Sequence, residues 1–161
     1  MLQNVRLSEV CDVVLGLAPV VPSTSTPDYI KMRNFTRCEV LILVKNATTV
    51  TGSAITLKQA TSAAGGSEKA LAFTTMLSNI DLAASDVMAR TAVTSNTFTT
   101  DATNSKNLLY RVDVKAEDLD HANGFTWLRA GTGDATAATV TVLYLMYGAR
   151  NAKDIHATQI A

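Results

Sequence analysis

The sequence has little charge for its length, and its charges cancel. Charged residues make up 17% of the 161 residues, below the usual quarter, and 14 basic side chains balance 14 acidic ones. A protein that binds nucleic acid by releasing counterions needs a surplus of Lys and Arg, so nucleic acid is excluded as the expected partner. The low charge fraction also indicates that part of the surface is not meant to face water.

Cysteines and long apolar runs are scarce as well. Cys11 and Cys38 are the only cysteines, and both have apolar neighbours, so we expect buried small hydrophobic residues rather than a disulfide or a zinc site. The longest apolar stretches reach about half of the roughly 18 residues that a membrane span requires, and Met1 to Arg6 begins no signal peptide. We therefore expect no membrane partner and synthesis in a cytoplasm.

Thr and Ala are abundant, and together they make up more than a quarter of the chain. Thr favours strands, and the Ala residues are scattered rather than set at helical spacing. The length fits one domain. These features predict a single all-β domain.

Four segments carry the strongest strand patterns. Residues 108–115 alternate, with Leu108 and every second residue after it facing inward, and residues 54–60 alternate in the same way. Residues 40–44 and 143–147 are apolar without alternation, a pattern typical of strands covered on both faces. The first of these two is the best candidate for a central strand.

Other segments are less regular. Residues 9–21 are apolar but interrupted by Gly16 and Pro19, which predicts a bent strand or an extended arm that lies on a neighbour. Residues 76–90 fit a short helix or a loop, and residues 131–134 fit a tight turn.

About eight or nine short strands, separated by turn signals and without a long amphipathic helix, predict a two-sheet antiparallel sandwich. A jelly-roll-like topology is the expected form, and an immunoglobulin-like sandwich is the alternative. Residues 1–27 are then an N-terminal arm or first strand, residues 28–150 the β-sandwich domain and residues 151–161 a C-terminal tail.

Candidate catalytic groups are few. Asp118, Asp120 and His121 lie together, but they lack the spacing of a calcium loop and have no second His nearby, so a solvated turn is expected. His156 lies in the polar tail. We predict no catalytic, cofactor-binding or metal-ligating residue, no cofactor and no enzymatic activity.

Other motifs also favour structural roles. The segment 131–133 has no following Lys or helix, so a hairpin is favoured over a phosphate loop. Phe125 and Trp127 are expected in a core or an interface. Four basic residues close in sequence predict a solvated or partner-facing loop: Lys31, Arg33, Arg37 and Lys45.

Several segments together resemble virion structural proteins of tailed bacteriophages. The resemblance runs in order over roughly residues 28–150, and its motifs are strand-and-turn patterns rather than chemical signatures. The segments that carry it are DYIKMRNF (28–35), VLILV (40–44), AITLKQAT (54–61), KALAF (69–73), TAVTSNTFTT (91–100), LLYRVDVKAEDLD (108–120), NGFTWLRAGTG (123–133) and TVTVLYLMYGAR (139–150).

The nearest class in that group is the capsid cement or decoration protein. The resemblance implies a homodimer or homotrimer on the outer surface of a phage capsid that bridges neighbouring major capsid subunits, in a virion assembled in the bacterial cytoplasm. It implies no catalytic residues.

Two alternatives to a cement protein stay open at this point. The first is a tail, fibre or head-completion component of the virion. The second is a ligand- or carbohydrate-binding sandwich, although the chain has one Trp, four Tyr and four Phe and they form no row along the sequence.

Overall fold

A computed structural model describes residues 6–22, 24–151 and 158–160. Within them lie one short helix, α1 (Leu7–Val10), two 3-10 turns (Ala116–Asp118 and His121–Asn123) and eleven strands. The strands are β1 (Cys11–Val20), β2 (Ile30–Lys31), β3 (Phe35–Asn46), β4 (Ala54–Ala60), β5 (Lys69–Ala70), β6 (Thr75–Asn79), β7 (Ala89–Ala92), β8 (Thr97–Thr99), β9 (Asn107–Lys115), β10 (Trp127–Thr132) and β11 (Ala138–Ala149).

The strands form two antiparallel sheets that pack as a sandwich, which confirms the predicted fold class. One sheet has six strands in the order β1-β11-β3-β9-β6-β7. The other has five, with the order β2-β10-β4-β5 and with β8 paired to β4. The choice between a jelly-roll-like and an immunoglobulin-like sandwich stays a prediction.

The core lies between the two sheets. Alternate residues of β3, β9 and β11 point inward and are buried, and they meet Ile55, Leu57 and Leu128 from the five-stranded sheet. The predicted inward positions of β9, Leu108 and every second residue through Val114, are all buried. Successive side chains of a strand point to opposite faces, so a strand that packs against a second sheet on one side buries every second residue.

A tyrosine joins the two sheets. Tyr144 of β11 is fully buried, and its hydroxyl accepts a hydrogen bond from the backbone N–H of Ala130 in β10 at 2.9 Å. The same hydroxyl donates to the carbonyl of Asp28 at 3.3 Å. The short strand β2 pairs only with Trp127 and Leu128, so no strand on that side provides an acceptor for Ala130. Tyr144 provides it instead.

The apolar segment 9–21, which Gly16 and Pro19 interrupt, is a strand over most of its length. β1 pairs with β11 along the edge of the six-stranded sheet, with register shifts between Leu15 and Leu17 and between Leu17 and Val20. Gly16 lies at the first shift, where an added Cβ would be 2.2 Å from the Tyr144 ring. A glycine is needed here because only backbone fits against that ring.

The described residues cover β3 and β11 on one face only, so the predicted cover on the second face does not come from them. Leu41, Leu143 and Leu145 are only half-buried, and the side chain of Leu43 is 38% exposed. The physical reason is that the five-stranded sheet covers one face of the six-stranded sheet and leaves the other face open.

Two segments also differ from the sequence predictions. Residues 76–90 contain no helix but strand β6 and an irregular link to β7. The predicted turn at 131–134 begins later, because Gly131 and Thr132 continue β10 opposite β4. In the tail, Gln159 is buried and its carbonyl accepts the N–H of Lys31, while residues 152–157, with His156, lie outside the described residues.

Candidate functional site: the outer face of the six-stranded sheet

The outer face is the surface of the six-stranded sheet that points away from the five-stranded sheet. Strand register places its side chains in rows across β1, β11 and β3. Val13 lies opposite Leu145, and Leu15 lies opposite Leu143, which in turn lies opposite Leu41. Cross-strand neighbours on one face have Cβ atoms about 5 Å apart, so these side chains form one continuous group.

The centre of this face is apolar. Val13 is 54% exposed, Leu15 50% and Leu43 38%, which are high values for residues of a regular strand. We call the following seven side chains the apolar centre: Val13, Leu15, Leu41, Leu43, Leu109, Leu143 and Leu145.

Charged side chains border the apolar centre at one end, and they are paired with each other. Arg37 of β3 forms an ion pair with Asp113 of β9, and Arg111 of β9 forms one with Glu39 of β3. Each pair crosses the β3–β9 boundary diagonally. The rim therefore carries both signs of charge in equal number, with hydrogen bonds already made inside the chain.

The same end of the face holds one buried thiol and one phenol. Cys11 lies opposite Tyr147 and is 2% exposed. Burial raises the pKa of the Cys11 thiol, and the nearby Asp12 adds to the shift. Burial, with the charge of Glu39, raises the pKa of Tyr147 to about 12. Both groups are therefore neutral near pH 7 and add no charge to the face.

The other end of the face is polar but uncharged apart from Lys45. Thr139 and Thr141 of β11 and Asn107 of β9 occupy it. A shallow cavity of about 270 Å³ lies there, lined in part by Leu43 and Leu82. The face thus has an apolar centre and a polar rim, which is the arrangement found in protein–protein interfaces.

The acidic segment near His121 forms two consecutive 3-10 turns, where a single solvated turn was expected. The carboxylate of Asp118 accepts the backbone N–H of Lys115 at 2.9 Å, and Asp120 forms an ion pair with Lys69. The ring Nε2 of His121 lies 2.7 Å from the carbonyl of Ala116. The hydrogen bond from Lys69 lowers the pKa of Asp120. Each group has a structural partner within the chain.

The two aromatic residues of the 125–127 segment lie just before and at the start of β10 in the five-stranded sheet. Phe125 is buried, and the ammonium of Lys69 lies 4.7 Å from its ring centroid. Trp127 is half-buried, with the ammonium of Lys31 5.8 Å from its ring centroid. Lys31 and Trp127 are also strand partners. A lysine therefore stands over each ring.

The four basic residues that are close in sequence are separated by the fold. Lys31 is in β2 of the five-stranded sheet, and Arg33 is in the turn that follows. Arg37 and Lys45 lie at opposite ends of β3, eight residues and therefore about 27 Å apart. The predicted basic loop does not form a single patch, because β3 begins within it.

A cluster of polar side chains around Glu68 lies on the five-stranded sheet and was not predicted from the sequence. Glu68 receives a hydrogen bond from the Tyr29 hydroxyl at 2.6 Å and lies 2.7 Å from both Lys58 Nζ and Arg129 Nη2. The Arg129 guanidinium also stacks 4.6 Å from the Tyr29 ring centroid. The hydrogen bonds from Lys58 and Tyr29 lower the pKa of Glu68. This cluster ties the loop before β5 to β4 and β10.

A cavity of about 640 Å³ lies beside the charged rim. It extends from Glu39 and Arg111 to the segment 71–77 and to Arg90 of β7. Its polar lining consists mainly of charges that are already paired, so it extends the rim of the outer face rather than forming a separate site.

Two other kinds of site are absent from the described residues. No group of three or more His, Cys, Asp and Glu side chains there is placed to hold a metal ion. No helix in that part of the chain has the length and apolar content to cross a membrane. Cys11 and Cys38 are buried free thiols, as predicted. No protein-family model, curated protein or solved structure matches this chain.

The outer face is thus the surface of this chain best suited to binding. Its apolar centre gains free energy when it is removed from water, at about 25 cal/mol per Å². The sequence indicated its residues in β3 and β11 but assigned them to burial on both faces. The sequence did not indicate that Val13 and Leu15 belong to this face, because Gly16 and Pro19 interrupt the apolar pattern of their segment.

Proposed function

We propose that this chain is a viral structural protein, a cement or decoration protein that binds the outer surface of a bacteriophage capsid. In this role it bridges neighbouring major capsid subunits and stabilises the shell. It is made in the host cytoplasm and acts in the assembled virion. The observation that carries the proposal is the apolar centre of the outer face, an exposed surface through which the chain can associate with other protein subunits, bordered by charges that are paired within the chain.

Two further observations support an adhesive role. The resemblance to virion structural proteins of tailed bacteriophages covers most of the sandwich. The chain also has a formal net charge of zero. Many copies packed side by side on a shell would repel one another if each had a large net charge, so a neutral chain suits dense packing.

The mechanism is additive binding. Each copy makes a few weak contacts, and contacts held in one lattice act together because the first raises the effective concentration of the next. A copy that bridges two subunits holds them together when either one begins to detach. No covalent step is needed.

The test is binding to shells of the phage that encodes the chain, prepared without it. The purified chain is expected to sediment with these shells, to raise the temperature at which they release their DNA, and to occupy many equivalent positions in a cryo-electron microscopy reconstruction. Occupancy at a single vertex would instead favour the tail, fibre or head-completion alternative. A chain that stays in the supernatant at all concentrations would refute a capsid role.

A further inference from the structure

We infer that the outer face of the six-stranded sheet is a two-fold interface between two copies of this chain. Sheets from two copies would pack face to face, about 10 Å apart, with Leu41 and Leu143 near the axis. This assigns the proposed self-association to one surface and to one symmetry.

The charges of the face suit a second copy. In a two-fold interface each residue meets the same surface of its partner, so a face with one sign of charge would repel itself. Here the rim charges of β3 and β9 are paired, Arg37 with Asp113 and Arg111 with Glu39. The apolar centre then meets an apolar centre, and the charges of the β3–β9 rim enter the interface already paired within each copy.

The area of the face also suits a dimer. The four strands β1, β11, β3 and β9 are each nine to twelve residues long. At about 4.8 Å between strands and about 3.4 Å per residue, they span roughly 19 Å by 30 Å, or about 600 Å². Two copies would bury roughly 1,200 Å², the lower end of the range for specific, stable interfaces.

A second copy fits better than the shell as the occupant. β1 is a ten-residue edge strand whose residues Val13 and Leu15 are half exposed or more. Exposed apolar surface promotes aggregation, so a chain made in many copies needs this face covered before it meets a capsid. This step rests on the proposed function, whereas the charge and area arguments do not.

A dimer of this kind would act as a bridge. It would place the five-stranded sheets of the two copies on opposite sides, each with its polar outward residues such as Lys58 and Arg129. Two equivalent binding surfaces would then be available for two capsid subunits.

The experiment compares the same substitution, Val to Asp, at two exposed positions. Val13→Asp places a charge on the apolar centre, at a side chain 54% exposed. Val87→Asp is the control, because Val87 is 71% exposed and precedes β7 at the opposite edge of the same sheet. Sedimentation equilibrium measures mass, and circular dichroism with urea unfolding verifies that each variant is folded.

The wild type and Val87→Asp are expected to have twice the chain mass of 17.1 kDa. Val13→Asp is expected to remain folded and to raise the dimer dissociation constant by about 30-fold or more. If Val13→Asp unfolds, Leu15→Lys serves as the second variant, with the same expectation. A folded variant that still dimerises like the wild type would overturn the inference.

Two other outcomes would also overturn it. A wild-type chain of three times the chain mass would exclude the two-fold arrangement. A monomeric wild type that sediments with shells, and loses that binding through Val13→Asp, would assign the face to the capsid. A dimer that never binds shells would support the inference while refuting the proposed function.

Discussion

The hydrogen bond between the sheets can be tested by removing one oxygen atom. Tyr144→Phe keeps the buried ring but removes the hydroxyl that accepts the Ala130 N–H at 2.9 Å and donates to the Asp28 carbonyl at 3.3 Å. Because Tyr144 and Ala130 are both 0% exposed, water cannot replace the lost partner. A buried donor left without a partner costs about 1–3 kcal/mol, and we expect the free energy of unfolding to fall by that amount.

The control for this change is Tyr147→Phe, which removes the same atom three residues along the same strand. The Tyr147 hydroxyl makes a long hydrogen bond of 3.4 Å to Glu39, and its side chain is half-buried on the outer face. Its loss is expected to change the free energy of unfolding by less than about 0.5 kcal/mol.

Urea unfolding at one fixed protein concentration provides the measurement, since any dimer makes stability concentration-dependent. With an m-value of about 2 kcal/mol/M, a loss of 2 kcal/mol lowers the midpoint by about 1 M. Hydrogen exchange of the Ala130 amide gives an independent result, because that amide is expected to lose protection in Tyr144→Phe alone. Equal midpoints for the two variants, with Ala130 still protected, would refute the reasoning.

Three further changes have definite expected outcomes. Gly16→Ala should destabilise the protein strongly, since its Cβ would lie 2.2 Å from the Tyr144 ring. Gly131→Ala should be tolerated, because the nearest atom to its Cβ would be 3.5 Å away. Thermal melting of both variants measures the difference. The lowered pKa of Glu68 means that its stabilisation is complete above the ordinary Glu pKa of about 4.3 and is lost as pH falls through the lowered value. Glu68→Gln should therefore reduce stability at pH 7 and flatten the acid side of a stability-against-pH profile. Asn46→Ala should cost about 1–3 kcal/mol in urea unfolding, because its buried amide donates two 2.9 Å hydrogen bonds to the loop before β9.

Much of the fold was predictable from alternation alone. Residues 54–60 and 108–115 show a period of two in the sequence, and their inward side chains are buried as that period requires. The two-sheet class follows from many such segments with no helical period. The boundaries near Gly131 were less predictable, because a Gly–Thr–Gly sequence is equally compatible with a turn and with a strand that passes close to a neighbour.

The polar contacts were not predictable, because they depend on long-range placement. Glu68 lies in a segment without any periodic signal, and its partners Lys58 and Arg129 come from two different strands. Similarly, Tyr144 belongs to an apolar run, and nothing in that run indicates a hydrogen bond to Ala130. That bond exists because β2 begins only at Ile30 and therefore does not pair with this part of β10.

The uninterrupted apolar runs in β3 and β11 support the proposed interface most directly. A segment that alternates requires one covering layer, while a segment that is apolar at every position requires two, and the described part of the chain supplies only the five-stranded sheet. A second layer over Leu41, Leu43, Leu143 and Leu145 is therefore expected from a partner. Since the charges around them are paired within the chain, the layer that fits is neutral and apolar at its centre. The outer face of another copy has both properties.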